Sequence, residues 1–242
     1  KRHLNILKKL KKKINFMKIS IIIPCFNESK TIRLILQKIS DLKSPHDFEI
    51  IIVDDNSTDG TRDILQNECK ALYTKLLLNE KNFGKGYSVR KGIENCSGHF
   101  VLIQDADLEY DPKDYDKILS PLINGKADVV YGSRFSGSEE RKIHYFWHTL
   151  ANRLLTLLCN LKTNLNLSDM ECGYKAFKSE VIKQINLKEN RFGFEPEVTI
   201  KLARKKVSFY EVGINYYGRS YQEGKKIGIK DALKALYVIL LR

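Results

Sequence analysis

One stretch constrains the fold more than any other: His99 to Pro112, HFVLIQDADLEYDP. It opens as an unbroken apolar run, Phe100-Val101-Leu102-Ile103, the pattern of a strand buried on both faces, as in a parallel sheet covered by helices. It then breaks into Asp105, Asp107 and Glu109. Carboxylates that follow a buried strand belong where the carboxyl ends of parallel strands meet a ligand crevice. Residues i, i+2 and i+4 of an extended segment share one face. The three acidic groups are therefore expected to converge on one hard cation, Mg2+ or Mn2+, of the kind held by oxygen ligands and bridged to phosphates. A solvated acidic loop is the bland alternative, and the buried strand in front argues against it.

The body of the chain repeats strand and helix. KISIIIPCFNE from Lys18 is a buried strand running into a polar loop, with Ser29 as cap of a helix whose apolar face is Ile32, Ile35, Leu36 and Ile39. FEIIIVDD is a second strand, leading into Asp54-Asp55-Asn56-Ser57-Thr58-Asp59-Gly60-Thr61 and a helix through Ile64 and Leu65. A short strand at Lys75–Leu78, a glycine-containing loop at Asn82–Gly86 and a helix to about Asn95 precede the acidic strand. ADVVYGSRF is a fifth strand. This alternation predicts βαβ units and a mostly parallel α/β sheet. Asn27/Glu28, Asp54/Asp55, Asp105/Asp107/Glu109 and Ser133/Arg134, dispersed in sequence, should then meet at one edge.

Beyond Phe135 the pattern changes. HYFWHTLANRLLTLLCNL reads as an apolar, aromatic helix, and its His144 and His148 read as paired surface histidines more readily than as metal ligands. SDMECGYKAF places Asp169 just before a short strand. Glu195 and Glu197 sit at a helix start, where the dipole favours acidic groups. FYEVGINYYG is the last strand, followed by the basic loop Arg219 to Lys226 and an amphipathic helix from Ile227 to Arg242.

The formal net charge of +13 favours an anionic partner: nucleotide phosphates, an acidic membrane surface or nucleic acid. Nucleic acid is set aside, because the lysines concentrate at the N-terminus and no platform of interleaved aromatic and basic residues is visible. The five cysteines, odd in number and never at C-x-x-C spacing, point to reduced thiols in the cytosol. No apolar run is long enough to span a bilayer and no signal-peptide core is present, so a cytoplasmic location is expected. Residues 1–16 form a basic extension with leucines at roughly helical spacing, read either as a membrane-surface helix or as a solvated tail. Met17 fits an internal start, and the absence of an initial Met suggests a fragment or a processed chain.

The series PCFNE, VDDNSTDGT, QDADLE, GSRF, SDMECGYKAF, FGFEPE and GRSYQEGKK resembles the family 2 inverting glycosyltransferases of GT-A fold. Within them it is most similar to dolichol-phosphate mannose synthases and polyprenyl-phosphate sugar transferases. The resemblance implies a GT-A (Rossmann-like) catalytic domain over 17–226 and a closing helix over 227–242. It implies donor-binding roles for Pro24, Phe26, Glu28, Asp54, Asp55, Asp105 and Ala106, and metal-ligating roles for Asp105, Asp107 and Glu109. It places Arg134, Arg219 and Lys225 against phosphate, and makes Asp107, Asp169, Arg134 and Arg219 the catalytic set.

The implied partners are a nucleotide sugar, GDP-mannose or UDP-glucose, a Mg2+ or Mn2+ ion and a polyprenyl phosphate acceptor. A phosphate acceptor is largely ionised at neutral pH and needs no base; a sugar hydroxyl would need one. Asp169 is the candidate for that role, with orientation of Arg134 or Lys225 as its alternative and Glu197 as a weaker contender. The aromatic helix around Tyr145–Trp147 and the closing helix read either as membrane-surface elements or, for the closing helix, as ordinary core. Many relatives carry transmembrane helices after the catalytic domain. Their absence here implies unaided docking on the cytoplasmic membrane face, a membrane partner, or a chain cut at Arg242.

Overall fold

A computed structural model describes residues 16–137, 145–219 and 228–242. The expected basic N-terminal helix, His144 and the loop carrying Lys225 lie outside these residues. Seven described strands form one sheet in the order β3-β2-β1-β4-β6-β5-β7. They are β1 (Lys18–Cys25), β2 (Asp47–Asp54), β3 (Lys75–Leu78), β4 (Phe100–Ile103), β5 (Val129–Ser133), β6 (Lys175–Lys178) and β7 (Phe209–Gly213). The sheet is mostly parallel, as expected, but β6 runs antiparallel between β4 and β5. The short strand expected after Asp169 begins at Lys175, past a turn over residues 170–171.

The described helices are α1 (Ile32–Ser40), α2 (Thr61–Asn67), α3 (Lys85–Asn95), α4 (Tyr115–Ile123), α5 (Phe146–Thr163), α6 (Ser179–Ile182), α7 (Phe194–Ala203) and α8 (Ile229–Leu241). Side chains alternate across β1: Ile19, Ile21 and Ile23 join one core with the apolar faces of α1 and α4, and Ile22 joins the other with α3, α7 and α8. Both faces of the sheet are thus covered, which is why the inner strands read as continuous apolar runs.

Two local features prepare the site. Pro24 lies inside a central strand, an unusual place for a residue without an N–H. Ile22 O accepts from Gln104 N and Cys25 O accepts from Asp55 N, so the alternation turns Pro24 towards β4, just past that strand's last residue, Ile103. No ladder bond is lost there, because β4 pairs with β1 only as far as Ile22. The order reverses at this point, since β1, β2 and β3 step one way and β4 lies on the other side. Ligands of open α/β sheets bind at such a reversal, beyond the carboxyl ends of the strands.

The expected Ser29 cap is not formed. Helix α1 starts after Thr31, which makes no side-chain cap. Thr31 instead gives its hydroxyl to Glu28 Oε2 at 2.8 Å, and Ser29 gives its backbone N–H to Asp59. The loop's own carboxylates, Glu28 and Asp59, thus accept the Thr31 hydroxyl and the Ser29 N–H.

At the opposite end of the sheet Glu49 is buried and accepts from Ser20 Oγ, Ser97 N, Ser97 Oγ and Lys75 Nζ. Burial alone would raise its pKa, but these donors lower it from 4.5 to about 2. A depressed carboxylate stabilises the fold above its unfolded pKa, and that stability is lost as pH falls through the folded value. Between about pH 4.5 and pH 2 the protein should lose about 3 kcal/mol through this group. Urea unfolding across that range should show the loss in the wild type, and Glu49→Gln should flatten it.

Candidate active site

The crevice is built from strand exits. Glu28, in the loop after β1, is buried, and its backbone N–H is anchored on Thr61 Oγ1 at 2.9 Å. Pro24 and Phe26 are half-buried in the same segment. After β2, Asp54 Oδ2 accepts from Arg62 Nε and Nη2 at 2.9 and 2.7 Å, while its Oδ1 is buried and unpartnered. Asp55 accepts from Asn79 Nδ2 and Phe83 N on Oδ1, and from Gly84 N on Oδ2. Asp55 therefore organises the glycine loop that opens α3. Gly84 has φ +103, and a Cβ there would strike Asn190 O at 2.5 Å, so only glycine fits.

That loop delivers Lys85, a residue the strand-end reasoning passed over. Its ammonium meets Asp105 Oδ1 at 2.9 Å and Glu195 Oε1 at 3.1 Å. The two carboxylates hold its pKa well above the usual lysine value against the opposing effect of burial. A glycine-bounded lysine at a helix start after a strand was the available signal. Gly173 closes against this pair: a Cβ there would lie 2.4 Å from Asp105 Oδ2 and 3.1 Å from Lys85 Nζ.

The acidic segment does not stay extended. Strand β4 ends at Ile103, and Leu108 has φ 64, so Asp105, Asp107 and Glu109 do not share one face as expected. Gln104 fixes the turn, accepting from Tyr115 and Tyr174 hydroxyls and donating to Asp105 O and Tyr110 O. Ala106 is buried at its centre. Asp105 faces Lys85, whereas Asp107 and Glu109 face Arg219. The Arg219 guanidinium lies 2.8 Å from Asp107 Oδ2, 3.4 Å from Glu28 Oε2 and 3.6 Å from Glu109 Oε1. Glu109 also accepts from Arg219 N and from the Tyr216 hydroxyl, both at 2.7 Å.

One guanidinium among three carboxylates leaves negative charge in excess. Burial, with Asp105 and Glu109 alongside, pushes Asp107 up to about 7 despite Arg219. Oxygen donors carrying surplus negative charge fit a hard divalent cation. Among the described residues no three His, Cys, Asp or Glu side chains form a ready-made cage, and the chain's own cations engage Asp105 and Asp107.

Across the crevice, Arg134 after β5 makes a two-pronged pair with Asp169, Nε to Oδ2 and Nη2 to Oδ1, both at 2.7 Å. Asp169 also accepts from Arg134 N and Asn152 Nδ2, and Glu211 holds its backbone N–H. Asp169 is fully buried; burial opposes ionisation, but Arg134 prevails and keeps its carboxyl below the usual carboxylate range. Glu195 is drawn into the site through Lys85. Glu197 is not: it caps Lys188 N and Glu189 N and pairs with Lys201 and Arg242.

A doubly covered, mostly parallel sheet with paired acids at its reversal point and arginines around them is the architecture of a GT-A nucleotide-sugar-dependent transferase. The Glycosyl transferase family 2 model matches residues 20–185, and the chain belongs to that family. It is 28% identical to the dodecaprenyl-phosphate galacturonate synthase of Rhizobium johnstonii, over 76% of this chain and 54% of that protein. It is 27% identical to the dolichol-phosphate mannosyltransferase of Pyrococcus furiosus, over 87% and 61%. The chain thus spans between about half and three-fifths of these two relatives. Among solved structures, glucosyl-3-phosphoglycerate synthase of Mycobacterium tuberculosis, bound to Mn2+, uridine diphosphate and glucosyl-3-phosphoglycerate, superposes with TM-score 0.68 at 19% identity, over 93% of this chain and 79% of that one. The resemblance read from the motifs is borne out at the level of family and fold.

Proposed function

We propose that the chain transfers a hexose from a nucleotide diphosphate sugar, GDP-mannose or UDP-glucose, to a polyprenyl or dolichyl phosphate, with inversion at the anomeric carbon. The observation that carries this is the state of Asp169. The carboxylate expected to act as base for a hydroxyl acceptor is fully buried, accepts four hydrogen bonds and is held ionised by Arg134. Such a group is a poor proton acceptor. A phosphate monoester, with a second pKa of about 6, brings its own nucleophilic oxygen. The names of the relatives point to the same acceptor class.

In this reading Pro24, Phe26, Glu28, Asp54 and Asp55 line the nucleoside side, with Asp105 and Ala106 beside them. Asp107, with Asp105 and Glu109, would hold Mg2+ or Mn2+, which supplies Lewis-acid stabilisation of the departing diphosphate. Asp169 positions Arg134; Arg134, Arg219 and Lys225 steady the two anionic substrates, whose close approach needs positive charge. Residues 17–226 form the catalytic unit.

Helix α5 exposes Phe146, Trp147, Leu150, Leu154, Leu157 and Leu161, and α8 exposes Leu233, Tyr237, Leu240 and Leu241. The inner face of α8, Ala235, Val238 and Ile239, is core, as one of the two expectations for that helix had it, and its outer face is left for the other. No described helix is long and apolar enough to cross a membrane. In our reading these faces rest on the cytoplasmic surface of a bilayer, alone or beside a membrane partner.

Radiolabelled GDP-mannose and UDP-glucose, offered with and without a short polyprenyl phosphate, test the reading. Label should enter the organic phase with one donor and vanish with EDTA, returning on addition of Mg2+ or Mn2+. Label recovered only as free sugar or on a hydroxyl acceptor would favour glycan assembly with another base.

A further inference from the structure

The described cations of the crevice are almost all neutralised by the chain itself. Lys85 is shared by Asp105 and Glu195, Arg219 by Glu28, Asp107 and Glu109, and Arg62 is held by Asp54. Arg134 forms a neutral pair with Asp169, and the fully buried Lys175 gives its ammonium to Met170 O and Cys172 O. An anionic acceptor needs a cation whose charge is not already consumed.

Arg153 on α5 fits that need. Its guanidinium carbon lies 5.7 Å from the centre of the Phe135 ring, and that of Arg134 lies 5.9 Å from the same ring. The two guanidiniums therefore share one aromatic ring, but among the described residues only Arg134 has a carboxylate partner. Cation–π contact orients Arg153 without cancelling its charge. Its place is fixed by its neighbours: Asn152 Nδ2 donates to Asp169 Oδ1 at 3.2 Å, and one turn later Thr156 Oγ1 accepts from Met170 N at 3.1 Å. These contacts pin α5 against the Asp169 loop. The exposed leucines 150, 154 and 157 occupy the same part of the helix. Residues three and four apart are neighbours on a helix surface, so Arg153 borders this apolar strip.

We propose that Arg153 is a further acceptor-binding residue: beside Arg134, whose charge is paired with Asp169, it supplies uncompensated positive charge to the phosphate, and the leucine strip carries the prenyl chain. This rests on the polyprenyl phosphate reading above. It adds to the recognition of a phosphate monoester joined to an apolar tail one side chain that no motif of the family series includes.

Arg153→Gln should raise the KM for a short polyprenyl phosphate by about tenfold or more, as expected for loss of a charge-assisted contact. The donor KM and the melting temperature should stay as in the wild type, because Arg153 is exposed. Arg153→Lys, which keeps the charge but not the planar fork, should fall between. Inorganic phosphate used as a competitor separates headgroup from tail: its inhibition should weaken in Arg153→Gln and be unaffected by Leu150→Ser and Leu154→Ser, which should weaken only the prenyl phosphate. An unchanged acceptor KM in Arg153→Gln, or equal rises in acceptor and donor KM, would overturn the assignment while leaving the function intact. A wild-type protein that transfers sugar to hydroxyls but to no phosphate would overturn both.

Discussion

Asp107→Asn should lower sugar transfer on the order of a thousandfold while raising the melting temperature of the metal-free protein at pH 8. The loss follows from the place of Asp107 in the reading above: it stands beside the departing diphosphate, where a lost electrostatic contact is worth several kcal/mol. The gain follows from its surroundings. Burial, Asp105 and Glu109 push Asp107 up to about 7, so at pH 8 its ionised form is held at a cost to the fold. A group whose pKa is raised on folding destabilises the protein above its unfolded pKa. Asparagine removes that repulsion and keeps an oxygen for Arg219 Nη2, which now sits 2.8 Å from Asp107 Oδ2. Activity and stability should thus move in opposite directions, as they do where function holds like charges together. Asp116→Asn, on the exposed face of α4, should change neither. Transfer above a tenth of the wild-type rate would remove Asp107 from the chemistry.

Much of this arrangement was legible in the chain because burial imposes a pattern. Strands β1, β2 and β4 could be read from their apolar runs, and the acids after them followed from the rule that parallel strands end at one crevice. The partners of those acids were harder to see. Nothing local says that Lys85 will meet Asp105, or that Tyr216 and Arg219 will close on Glu109, since these contacts join segments far apart in sequence. The reversed direction of β6 was equally hidden: the strand is four residues long, and its pairing with β4 and β5 depends on how the Asp169 loop turns. Local rules failed where the crevice overrides them. Leu108 takes a left-handed φ that turns an expected strand continuation into a cradle, and Thr31 gives up a cap to hold Glu28. Both departures lie beside the candidate site, where local preference most often yields.

The second large effect concerns Asp169 and separates its two possible roles. Asp169→Ala should destabilise the protein by about 3–5 kcal/mol, because it strands the largely buried Arg134 guanidinium without a counter-charge. Replacing both partners by apolar residues of similar size, Asp169→Leu with Arg134→Met, should restore much of that stability, since neither charge is then left unpaired. Chemical denaturation of Asp169→Leu, Arg134→Met and the double variant measures the coupling directly. Activity then distinguishes positioning from proton transfer. The carboxyl of Asp169 is held below its ordinary value of 3.8, so it remains ionised across the neutral range and contributes no acid limb there to the pH–rate profile. A base acting on a hydroxyl acceptor would instead need a pKa near the working pH. Transfer to polyprenyl phosphate should therefore keep its pH profile in Asp169→Asn, with a reduced rate and a raised acceptor KM as Arg134 loses its orientation. A profile that loses an acid limb in this variant would return Asp169 to the role of base and move the acceptor to a sugar hydroxyl.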